Sequence, residues 1–75
     1  MVFISLTEDE TKVILDCHKH SRDGDYFRLV IDKKTHELIE RPEMPDIDAS
    51  AAYSHIYSLI KEGKKLPKET VAEWG

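Results

Sequence analysis

Cysteine is all but missing from this chain: Cys17 stands alone, so no internal disulfide can staple it. Proline and glycine are equally sparse, three of each, which excludes linker-like sequence and leaves no glycine-rich phosphate loop. Apolar residues never run more than four in succession, whereas a bilayer-crossing helix needs about 20. No transmembrane span is expected. The start, Met1 to Ile4, has neither the basic region nor the long apolar region of a signal peptide. Together with the single thiol this predicts a cytoplasmic protein.

What is present is a chain of 75 residues and 8.7 kDa. At that mass a folded chain keeps roughly 4,700 Å² of the roughly 12,600 Å² it exposes when unfolded. One thin core follows, within a single domain spanning 1–75. A deep catalytic cleft would compete with that core for the same side chains, so a non-enzymatic module is expected. The formal charge is −4, with 15 acids against 11 bases. Residues 1–25 carry six acids and three bases, 26–48 six and four, and 49–75 three and four. An acidic end and a basic end are implied, and direct nucleic-acid binding is disfavoured because no basic footprint dominates.

The clearest periodicity lies in 48–62, where Ala49, Ala52, Tyr53, Ile56, Tyr57, Leu59 and Ile60 fall within about 160° of a helical arc. Asp48 suits its N-cap, and Gly63 suits a left-handed residue past its last turn, with Lys61, Lys64 and Lys65 beside the carbonyl end. Segments 26–31 and 37–41 read as two antiparallel strands around a turn at 32–36, with Phe27, Leu29 and Ile31 on one face. His36 falls where such a turn calls for positive φ. Thr7 followed by Glu10 resembles a capping box, which favours a helix over 8–21 carrying Val13, Ile14, Leu15 and Cys17 inward. The competing reading pairs 2–6 with 11–17 as a hairpin, since Val13, Leu15 and Cys17 also alternate.

The favoured architecture is a small two-layer α+β domain, β-α-β-β-α, with a three-stranded, mainly antiparallel sheet and both helices on one face. The alternative order is β-β-β-β-α. Residues 64–75 form a tail expected to dock on the core through Leu66, Val71 and Trp74. Tyr26, Val30 and Ile39 would remain on the opposite sheet face.

No stretch carries a catalytic or cofactor motif, and no cofactor is expected. Cys17, His18 and His20 are the only candidate metal ligands; on a helix they diverge, and no second ligand pair accompanies them. The basic patch Lys61, Lys64, Lys65 and Lys68 admits a phosphate-bearing or acidic partner, but is read first as the charge complement of a helix end and an aid to solubility. Most readily, then, this is a small non-catalytic interaction or accessory module. It would bind another protein, or itself as a homodimer, through Tyr26, Val30, Ile39 and Trp74. A capped helix and a Leu66-Pro67 to Trp74-Gly75 ending are similar to those of small bacterial or phage proteins. Two alternatives rest on other residues. One is an acidic inhibitor that fills the cationic groove of a nucleic-acid-binding protein, using Glu8, Asp9, Glu10 and the acids of 40–48. The other is a small metal-responsive protein.

Overall fold

A computed structural model describes residues 1–19, 24–42 and 47–73. In these residues the chain forms strands β1 (Val2–Glu8), β2 (Lys12–Lys19), β3 (Tyr26–Asp32) and β4 (Leu38–Glu40), helix α1 (Ile47–Lys61) and strand β5 (Glu69–Ala72). The strands join one antiparallel sheet of order β4-β3-β2-β1-β5. The α+β class is the expected one. Its composition is corrected: the described residues hold five strands and one helix, in place of three strands and two helices.

The segment expected as a helix over 8–21 contains β2, paired in register with β1 from Val2↔Lys19 to Glu8↔Val13. The segment read as a capping box, from Thr7 to Glu10, closes a hairpin instead. Asp9 Oδ1 accepts the amide N–H of Thr11 at 2.8 Å and of Lys12 at 2.9 Å, and the Thr11 hydroxyl at 3.0 Å. A carboxylate that takes N–H groups two and three residues ahead serves a helix start and a turn alike, so the local chemistry did not separate them. Beyond the turn the period is two. Val13, Leu15 and Cys17 are fully buried, and Ile14, Asp16 and His18 face the other way.

Phe27, Leu29 and Ile31 share the buried face of β3, as their spacing predicts. The turn that follows is held by Asp32, whose Oδ1 accepts the N–H groups of Lys34 and Thr35, both at 2.8 Å. His36 sits at φ 65°, the left-handed position expected there, with its N–H donated to Asp32 O at 2.8 Å. β4 is short and irregular. Val30 faces Glu40 and Ile31 faces Leu38, which leaves Ile39 as the extra residue of a bulge.

Helix α1 begins at Ile47, so Asp48 lies inside the first turn instead of capping it. Its carboxylate is buried, with Oδ2 3.7 Å from Lys19 Nζ at the end of β2. Ala49, Ala52 and Ile56 press on the inner sheet face. Two alanines bring the helix backbone close to the strands, while Ile56 contributes the large apolar area, worth about 2 kcal/mol or more when fully buried. The helix ends in a paired cap: Gly63, at φ 72°, donates its N–H to Ile60 O at 3.1 Å, and Lys64 donates to Leu59 O at 3.0 Å. β5 then lines the free edge of β1 from Val2↔Ala72 to Ser5↔Glu69, and Ala72 joins Val2 and Ile4 in the core.

Candidate functional site

Because α1 packs on one side of the sheet, the side chains of opposite parity form a second face that no element covers among the described residues. The pairing register arranges it in rows. Val71, Phe3, His18 and Tyr26 make the first, and Glu69, Ser5, Asp16 and Arg28 the second. Thr7, Ile14, Val30 and Glu40 make the third. An antiparallel sheet that merely faced water would alternate to polar residues here. Instead two rows carry apolar or aromatic side chains on either side of a charged one.

The charged row is ordered. Asp16 accepts the Tyr26 hydroxyl at 2.5 Å and Arg28 Nε–H at 3.0 Å, and that N–H also lies 3.1 Å from the Tyr26 oxygen. Partial burial disfavours the Asp16 anion, but the hydrogen bonds from Tyr26 and Arg28 outweigh it and hold the carboxyl below its ordinary range. The same contact with Asp16 pushes the Tyr26 hydroxyl up. The His18 ring lies 5.4 Å from that of Tyr26. A shallow depression of about 330 Å³ opens beside Phe3, Ser5, His18, Glu69 and Val71. These prearranged polar groups lie between rows that carry aromatic and aliphatic side chains.

The residues singled out in the sequence fall in different places. Tyr26 is 54% exposed on this face. Val30 shares the face but is only 7% exposed, so it offers little free area. Ile39, 59% exposed, stands at the bulge on the β4 edge. Trp74 and His20 lie outside the described residues. Phe3 was missed, although alternation through 2–6 placed it opposite Val2 and Ile4; Ile14, expected inward, lies on the outer face, and Val71, expected to dock on the core, is 38% exposed beside Phe3 because β5 pairs with β1.

Cys17 and His18 point to opposite faces, as neighbours on a strand must. Cys17 is buried, its Sγ 3.8 Å from Leu15 O, and burial with the Asp16 charge pushes the thiol up to about 12. That removes it as a nucleophile at neutral pH. Among the described residues no group of three His, Cys, Asp or Glu side chains is placed to hold a metal. The acids of the inhibitor reading are partly committed: Asp9 to its turn, Glu8 to Lys33 at 3.1 Å, and Asp48 to the helix–sheet layer. No helix of the described residues is long and apolar enough to cross a membrane. Comparison with known protein families, curated proteins and solved structures finds no match for this chain.

Proposed function

We propose that the protein is a small non-catalytic interaction or accessory module of the cytoplasm, which docks the helix-free face of its sheet on another protein. One observation carries this reading: a sheet face that no element covers among the described residues bears Phe3, Ile14, Tyr26 and Val71 around an ordered Asp16–Tyr26–Arg28 cluster. The aromatic groups supply contact area, and the charged cluster fixes which way the partner sits. A second copy can occupy the face as well as a different protein, since a two-fold pair would use the same patch twice.

The test uses Val71→Asp and Ile39→Asp, both at exposed positions, with Ser58→Asp on the outer side of α1 as control. Sedimentation velocity reads self-association, and affinity capture from a cell lysate at moderate salt reads a partner. The expected result is a complex retained by Ser58→Asp and lost by Val71→Asp, with the helical circular dichroism unchanged. A complex that survives both Val71→Asp on the face and Ile39→Asp at its β4 edge overturns the choice of surface. One that dissolves at moderate salt favours the acidic-inhibitor reading.

A further inference from the structure

At the end of the molecule where α1 terminates, a cavity of about 580 Å³ opens between the β1–β2 hairpin, the turn after β3 and the chain leading into β5. Its floor is aliphatic, from Leu6, Val13, Ile60 and Leu66. Its rim is basic, from Lys33, Lys64, Lys65 and Lys68. The protein as a whole carries −4, so this concentration of positive charge runs against its average. Glu8 is the single acid of the lining, and Lys33 Nζ neutralises it at 3.1 Å.

The lysines are not consumed by the helix end. The Ile60 and Leu59 carbonyls are already taken by the backbone N–H groups of Gly63 and Lys64, so the helix has its cap without them. Lys64 pairs with Glu62 at 3.2 Å on the exposed side. Among the described residues Lys65 and Lys68 have no ion-pair partner. The strap that carries them is fixed in place, since Leu6 N–H donates to Lys68 O at 2.8 Å and Leu66 packs against the core. A site of this size, with an apolar floor and a few charged groups at its mouth, has the make-up of a small-molecule pocket. We propose that this cleft binds a small amphipathic anion, its aliphatic body lying on Leu6, Ile60 and Leu66 and its carboxylate or phosphate head meeting Lys65 and Lys68. The cleft is remote in parity from the docking face, because Leu6 and Val13 belong to the inner side of the sheet, and the two readings stand or fall separately.

The test is an amide NMR titration of the full chain with four probes: decanoate, decyl phosphate, decanol and inorganic phosphate. Decanoate or decyl phosphate is expected to give saturable shifts at Leu6, Lys33 and residues 60–68, and whichever binds more tightly identifies the head group. Decanol and inorganic phosphate, each lacking half of the recognition, are expected to bind about tenfold more weakly or worse. Lys65→Gln/Lys68→Gln, at exposed positions that leave the melting temperature unchanged, should weaken the charged probes by about tenfold while leaving decanol unaffected. Inorganic phosphate binding as tightly as decyl phosphate overturns the proposal, as does decanol matching decanoate. So does an undiminished affinity in the double variant, or shifts that map to Phe3, His18 and Val71.

Discussion

His36 shows how one residue balances opposed terms. At φ 65° it occupies a conformation that costs a non-glycine residue about 1 kcal/mol, and glycine there would relieve it. Yet its ring meets Tyr57 edge-on at 5.9 Å, and its carbonyl accepts the Tyr53 hydroxyl at 3.0 Å. The carbonyl bond survives any side-chain change, whereas the ring contact, worth about 0.5 to 1.5 kcal/mol, does not. His36→Gly alone should therefore change stability by less than about 0.5 kcal/mol, with relief and loss nearly cancelling. With Tyr57→Leu already in place, the same glycine should stabilise by about 0.5 to 1 kcal/mol. Urea denaturation of the four proteins of this cycle reads the difference. A His36→Gly loss above about 1 kcal/mol in both backgrounds would mean that the ring is held by more than Tyr57.

Among the elements, legibility followed range. The helix over 48–62 and the strands around 32–36 could be read because their evidence is local: a 3.6 period, a turn aspartate, a glycine past the end. β2 misled because its apolar residues occupy both parities. Ile14 belongs to the outer face beside Val30, and adding it to Val13, Leu15 and Cys17 imitates a helical stripe. β5 has four residues, too few for any period to emerge, and its identity as a strand comes from pairing with β1 at the far end of the chain. The proposed docking face inherits that difficulty, since half of its first row, Val71 and Phe3, is assembled by the same pairing. Parity along β5 is directly testable. Ala72 is 2% exposed and Val71 is 38% exposed, so Ala72→Asp should cost about 3 kcal/mol or more by burying a charge. Val71→Asp should cost under about 1 kcal/mol. Similar losses from both, measured by thermal and urea unfolding, would dismiss the register of this strand.

Over the whole molecule, one acid joins the basic end that the sequence suggested. The hairpin brings Glu8 to the same end as Lys33, Lys64, Lys65 and Lys68, so an ion pair replaces part of a dipole. What the fold does concentrate is its dependence on pH. Asp9 and Asp32 are held below their ordinary 3.8 by backbone N–H groups in two turns. Asp16 is held below it too, against the effect of burial, by Tyr26 and Arg28. A carboxyl depressed in the folded state contributes stability that is complete above its unfolded value and is lost as pH falls through the folded one. Tyr26, raised above 10.0 by Asp16, and Cys17, raised from 9.0 to about 12 by burial and the Asp16 charge, act in the other direction. Their contribution is complete below the unfolded values and is lost as pH rises toward the folded ones. The melting temperature should therefore hold a plateau between about pH 5 and 9 and fall on both sides. Asp16→Asn should make the acid limb shallower, and Tyr26→Phe and Cys17→Ala should each flatten part of the alkaline limb. An acid limb unaltered in Asp16→Asn would move that sensitivity to the turns at Asp9 and Asp32. The plateau would then report the hairpins, and the charged row of the sheet face would be free to serve a partner without a cost to the fold.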